Sequence, residues 1–206
     1  IIYYLFKGDQ GKASSYMCWF FTVSSLMTSI VIPIISWIGT RVGKKKAFYI
    51  STSISIFGYI LKWFCYNPEK PYLLFLATPF IGFGLGGLFT LVGAMMADVC
   101  DEDELRYGKR REGMFGAVNW WVVKLGMAVA FAFSGHILNY TGFDVNIGAI
   151  QPERTLYLMR LFEIGIPVVA SIIAIISIGL YSITEERAHE IRFELEKRRG
   201  KAEYNN

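Results

Sequence analysis

The chain has 206 residues, with 21 Lys and Arg against 17 Asp and Glu and a net charge of +4. It is 53% hydrophobic, 16% aromatic and only 18% charged, whereas about a quarter of the residues in a soluble domain are charged. These values exclude an ordinary soluble domain. The apolar residues also stand in continuous blocks, and about 20 of them in a row are long enough to cross a bilayer as a helix.

In chain order, an apolar stub at 1–6 runs into Lys7-Gly8-Asp9. It lacks the basic start and small-residue cleavage site of a signal peptide, and it reads as the end of a span whose beginning is missing. Five spans follow, at about 16–38, 47–64, 72–96, 114–138 and 161–181, with glycine concentrated in the third. Short connections at 39–46, 65–71, 97–113 and 139–160 join them. Segment 1–181 is therefore a transmembrane bundle, and 182–206 an amphipathic tail. In that tail Ser182 and Glu185 have capping-box spacing. Ala188, Ile191 and Leu195 make a narrow apolar stripe, and Glu194 and Arg198 form an i,i+4 pair. The fold class these features predict is all-α, a polytopic transmembrane helix bundle.

Charge sets the orientation. Arg41, Lys44, Lys45 and Lys46 lie in the first connection, and Arg106, Lys109, Arg110 and Arg111 in the third. The tail carries Arg187, Arg192, Lys197, Arg198, Arg199 and Lys201. Two spans separate each group from the next, so all three share one side, which the positive-inside rule makes cytoplasmic. The other side has only scattered cations such as Lys7, Lys12, Lys70 and Arg154. The bilayer is the expected surrounding, with the C-terminus in the cytoplasm. No nucleic-acid partner is expected, because the basic clusters coincide with inter-span connections.

The three cysteines make no disulfide framework: Cys18 and Cys65 fall in or beside apolar blocks, and Cys100 in an acidic connection. No CxxC or Cys/His cluster has zinc spacing, so no metal site is expected. No nucleophile–base pair suggests an enzyme.

Lys124 stands about eleven residues into the fourth span, roughly 16 Å deep. A lysine there costs at least about 2.5–3.5 kcal/mol and needs a polar cavity or an acidic partner. No acid of this chain lies at matching depth, so the partner is expected outside it. The alternatives are a structural ion pair or a role in substrate binding and coupling. Trp120 lies one turn before Lys124 on the same face, with Asn119 and Trp121 beside it. A tryptophan ring and an amide suit the CH face and hydroxyls of a sugar, while packing against lipid or neighbouring helices is the plainer reading, and the better one for Trp121. In the third span, Gly82 and Gly86 make a small-xxx-small face for close helix packing, and Pro79 with the glycine run offers a bend. His136 lies near the outer end of its span, a structural position.

Two connections carry motifs. The first reads Gly39-Thr40-Arg41-Val42-Gly43-Lys44-Lys45-Lys46, and resembles the loop motif that major facilitator transporters carry in each half. The third sets acids (Asp98, Asp101, Glu102, Asp103, Glu104) before Gly108-Lys109-Arg110-Arg111-Glu112-Gly113, without the alternating acids and central glycine of a calcium loop. With Gly116-Ala117-Val118-Asn119-Trp120-Trp121-Val122-Val123-Lys124-Leu125-Gly126 and the tail Glu185-Glu186-Arg187-Ala188-His189-Glu190-Ile191, it resembles the glycoside–pentoside–hexuronide:cation symporter family.

That resemblance covers essentially the whole chain, as spans seven (end only) to twelve. It implies the C-terminal half of a major-facilitator-type fold, packed against a missing N-terminal six-helix half around a midplane site. It also implies cation-coupled symport of a sugar or glycoside by alternating access, in a bacterial inner membrane. The coupling cation, Na+ or H+, would bind acids of the missing half, and no other cofactor is expected. Lys124 would serve substrate transport and its coupling to the cation. Arg41, Lys44, Asp98, Asp101, Arg110 and Arg111 would form a cytoplasmic gate of opposite charges. The competing readings are a lipid or lysolipid carrier of the same superfamily and a non-transporting membrane protein. Short loops favour the sugar carrier, and a mid-span lysine argues against a purely structural role.

Reporter fusions placed after Lys46, after Gly113 and after Asn206 should all report cytoplasm, and one after Pro71 the opposite side. A swap of any of them would remove the span assignment.

Overall fold

The structure is a computed structural model that describes residues 2–6, 8–144, 147 and 151–200. Residue 1 of the stub, and Lys7, Lys201 and Asn206 named above, lie outside the described residues. A four-residue helix α1 (Ile2–Leu5) leads into α2 (Gln10–Val42) and α3 (Lys44–Cys65). A 3-10 helix (Pro71–Ala77) then runs into α4 (Thr78–Tyr107), followed by α5 (Glu112–Tyr140), α6 (Glu153–Gly179) and the tail helix α7 (Glu185–Arg198). Among the described residues there is no strand. Five helices, with the 3-10 turn counted into α4, are long and apolar enough to cross a membrane. The fold is an all-α bundle of membrane-spanning type.

The helices end where local chemistry stops them, not where hydropathy falls. Asp9 caps α2, its carboxylate accepting from the Lys12 N–H at 3.1 Å. The connection 39–46 is not a loop. Helix runs through it except at Gly43, whose φ of 87° only glycine adopts without strain, so α2 and α3 reverse about one residue. The acidic connection 97–113 is likewise mostly helix. α4 continues to Tyr107 and stops at left-handed Gly108, φ 68°, because Asp98, Cys100 and Leu105 are buried against neighbouring elements. Cys100 is thus a packed helical residue rather than a loop residue. Pro79 sits in the first turn of α4, where a missing N–H removes no helical bond, so it bends nothing. The tail cap is Thr184, not Ser182: its hydroxyl accepts from the Arg187 N–H at 3.2 Å.

α4 is clasped by α2 and α3 through two different glycine faces. A side chain at Gly82 would meet Thr28 of α2, and one at Gly86 would meet Ile35 and Val31. A side chain at Gly84 or Gly87 would collide with Ser55 or Ser51 of α3. α3 returns the favour at Gly58, where a Cβ would lie 2.7 Å from Phe80 Cβ and 2.9 Å from the Ile81 nitrogen. Between membrane helices, where lipid is as apolar as leucine, such close backbone approach supplies the packing energy. Two apolar clusters fill the seams. One holds Val31, Ile35, Ala47, Phe48 and Leu91, the other Leu5, Cys65, Tyr66, Leu74 and Ile164. α6 packs chiefly on α3, while α5 touches α4 lightly and buries none of its side chains.

Gly58→Val should lower the melting temperature of the purified protein, by overpacking worth about 1–3 kcal/mol. Gly165→Ala, where a Cβ meets nothing within 4 Å, should leave it no lower. Equal melting of Gly58→Val and wild type would refute the clasp.

Candidate functional site

Extension of α4 beyond its apolar stretch carries Asp98 into the junction of α3, α6 and α7. Asp98 is 3% exposed. Its Oδ2 accepts from Lys44 Nζ at 2.5 Å and from the Tyr181 hydroxyl at 3.4 Å, and its Oδ1 from Arg192 at 2.7 Å. These donors come from the first turn of α3, the segment after α6, and the tail helix. A carboxylate withdrawn from water is tolerated only when its lone pairs are so satisfied. Burial, reinforced by the negative Asp98, pushes the Tyr181 phenol well above its ordinary range, which keeps it a donor. Glu185 adds a second carboxylate to Lys44, at 3.8 Å from Nζ and 3.4 Å from its N–H. Lys45 Nζ donates to the carbonyls of Gly179 and Tyr181, both at 2.9 Å, and closes the C-terminal end of α6.

Further along α4 the acids meet the basic turn. Arg110 pairs with Asp101 at 3.2 Å, with Glu104 at 2.8 Å and with Glu112. Arg111 forks onto Asp103 and lies over the Tyr107 ring. Bonds from Glu112 and Glu104 raise the Arg110 guanidinium above its ordinary range, and Asp103 does the same for Arg111. Arg199 reaches Glu104 at 2.6 Å, and Arg198 donates to the Leu105 carbonyl at 3.0 Å. Beneath them Leu105, Ile191 and Leu195 form a small apolar cluster. Most of these guanidinium groups are half exposed, so each surface pair contributes only about 0–1 kcal/mol. Strength comes from their number and from the buried Asp98.

Of the expected gate residues, Lys44 meets Asp98 and Asp101 meets Arg110, while Arg111 pairs with Asp103. Arg41 stands apart, its guanidinium over the Trp37 ring at 5.6 Å. Sequence reasoning missed Tyr181, Glu185, Arg192 and Arg199. The apolar stripe of the tail was the available signal, because a stripe that docks brings its neighbouring charges with it. The expected Glu194–Arg198 pair is replaced by the reach of Arg198 to α4.

Lys124 lies on α5 and is exposed, as are Trp120 at 59% and Trp121 at 64%, with Asn119 half-buried. Lys124 has no ion pair or hydrogen bond among the described residues. A second polar group inside the spans also went unnoticed. Lys62 Nζ pairs with Glu163 at 2.6 Å, Tyr66 donates to the same carboxylate at 2.5 Å, and Arg160 lies against Trp63. The depth argument that marks Lys124 marks neither cation here: Lys62 stands in the last turn of α3, and Arg160 precedes a span that hydropathy starts at about 161. Among the described residues no cluster of His, Cys, Asp and Glu could hold a metal ion.

Residues 2–185 match the model of a family described as MFS/sugar transport protein. The chain is 30% identical over 158 residues to an uncharacterized symporter of Synechocystis, covering 75% of this chain and 29% of that protein. It is 26% identical to a glucuronide carrier protein homolog of Escherichia coli, covering 87% and 40%. It is also 26% identical to the sodium-dependent lysophosphatidylcholine symporter 1 of Homo sapiens, covering 86% and 32%. The chain thus spans less than half the length of each of these relatives. No solved structure matches it.

Asp98→Asn removes the charge that Lys44 and Arg192 share, at a cost of about 1–3 kcal/mol. The tail should then be cut faster by trypsin at Arg192 and Arg198, with lower thermal stability. Unchanged proteolysis would show that Asp98 does not hold the tail.

Proposed function

The chain belongs to the MFS/sugar transport protein family, and on that premise we propose that it forms the C-terminal part of a cation-coupled symporter that moves a sugar or glycoside by alternating access. The observation that carries this reading is Lys124. It is an ammonium near the middle of a 29-residue apolar helix that buries none of its side chains. Hydrocarbon does not accommodate such a charge. The α5 face that carries it therefore lines a polar path and meets an N-terminal half, whose acids bind Na+ or H+ and oppose the ammonium. Trp120 stacks on the sugar ring, Asn119 bonds its hydroxyls, and Trp121 supports the helix against its neighbours.

The network around Asp98 supplies the gate. It joins α3, α4 and the tail through opposite charges at the basic end of the bundle, which we place at the cytoplasmic face of a cell membrane. Lys44, Asp98, Asp101, Arg110 and Arg111 hold that end shut in one state and part in the other, with Arg41 free to join from α2. Many weak pairs acting together can bias such an equilibrium where one cannot. The lysophosphatidylcholine symporter among the relatives supports a second reading, in which the same path takes a lysolipid.

The test is counterflow and cation-driven uptake by the full-length transporter in proteoliposomes, with a labelled β-glucuronide and with lysophosphatidylcholine. Saturable sodium- or proton-dependent glucuronide uptake is expected, and uptake of lysolipid alone would replace the substrate class. Lys124→Ala should insert and fold yet accumulate about 10–100-fold less substrate per folded molecule, the scale of a lost charged hydrogen bond. Lys124→Arg should restore only part, since a planar fork replaces a compact ammonium. Normal accumulation by Lys124→Ala would end the functional reading of this lysine.

A further inference from the structure

At the end of the bundle away from the tail, the last turn of α3 and the first turns of α6 enclose a cluster that the gate and the α5 face do not use. Glu163 is fully engaged there: Lys62 takes one oxygen at 2.6 Å and the Tyr66 hydroxyl the other at 2.5 Å. Lys62 is 9% exposed while the Glu163 side chain is 40% exposed and borders the cavity described below, and the two charges cancel. Arg160 is the charge left over. It appears in no ion pair among the described residues, and its guanidinium stands over three aromatic rings, at 4.3 Å from the Trp63 centroid, 5.4 Å from Tyr4 and 5.6 Å from Tyr66. One terminal nitrogen donates to the Tyr4 hydroxyl at 3.0 Å. The Nε is shut off from solvent and has no hydrogen-bond partner.

A buried donor on a charged group without an acceptor is costly and uncommon. Beside it lies a cavity of about 230 Å³, bordered by Tyr3, Leu156 and Met159 as well as by the cluster itself. We propose that this cavity binds a phosphate-type anion through Arg160, supplied by a phospholipid headgroup of the adjoining leaflet or by a soluble phosphate. The guanidinium presents a planar fork that matches two oxygens of such a group, and the aromatic faces fix its direction. Arg160 lies some seven residues into α6, about 10 Å along its axis, which is headgroup-to-acyl depth if the helix starts at the interface. Tyr and Trp concentrate at that level. Leu156 and Met159 offer an apolar border for the first carbons of an acyl chain. The saturated Lys62–Glu163 pair keeps the carboxylate from competing for Arg160. This site is separate from Lys124 and does not depend on the substrate class.

The experiment is native mass spectrometry of the delipidated full-length transporter titrated with phosphatidylglycerol, with diacylglycerol, and with inorganic phosphate. Wild type should take up one phosphatidylglycerol that Arg160→Gln binds about tenfold more weakly, while diacylglycerol binds to neither. Leu156→Trp, which fills the cavity and leaves Arg160 on Trp63, should lose the same lipid, and it decides the matter if Arg160→Gln does not fold. Lys124→Ala should retain it. Arg160-dependent binding of inorganic phosphate without phosphatidylglycerol assigns the site to a soluble anion. Equal binding of both phosphate sources by wild type and Leu156→Trp, or no binding of either, overturns the proposal.

Discussion

A charge that leaves water needs partners, and most of the tertiary architecture of this chain is the answer to that requirement. Asp98 is the deepest instance. It is almost wholly buried, and its two oxygens gather donors from α3, from the segment after α6 and from α7. Without those donors the carboxylate could not remain where α4 places it. Without the carboxylate the tail would keep its apolar contact, the bonds of Glu185 to Lys44 and of Arg198 to the Leu105 carbonyl, and a half-exposed ion pair from Arg199. Glu163 does the same work at the other end, joining α6 to α3 through Lys62 and Tyr66. The seam between α3 and α6 is therefore held by polar contacts at both ends, since Lys45 closes the C-terminal end of α6 against the start of α3.

Those contacts work only because the helices come close enough. α4 can lie against α2 and α3 at once because its glycines are distributed over two faces, Gly82 and Gly86 toward one neighbour and Gly84 and Gly87 toward the other. The result is a closely packed three-helix unit with α6 laid on α3. α5 is the exception, with no buried side chain and only a light contact to α4. Lys124 and Arg160, two cations within the long apolar helices that meet no carboxylate among the described residues, are exceptions of the same physical kind. In a medium that does not solvate charge, an unmet ammonium or guanidinium marks a surface that something polar covers.

The membrane class, the five long helices and the apolar stripe of the tail were legible in the residues. Continuous hydrophobicity over the width of a bilayer and a period near 3.6 in the tail are local properties that need no partner to be seen. The charge blocks of the gate were legible as opposite signs near one end. Their pairing was only partly so: Lys44 and Asp98 carry opposite signs at the same end, but Tyr181 enters from the segment after α6, and Arg192 and Arg199 because α7 folds back onto α4.

Hydropathy placed the spans but not their ends. Charged residues such as Asp98 and Asp101 lower the apolar average without breaking a helix, so hydropathy marks the acidic segment as a connection although α4 continues through it to Tyr107. That these helices are of membrane-spanning type and that Lys124 stands far from either end of its span follows from residue type and position along each apolar block, which are local properties. Which cations find carboxylates depends instead on helix faces brought together from distant parts of the chain, where a few ångströms separate a paired charge from an open site.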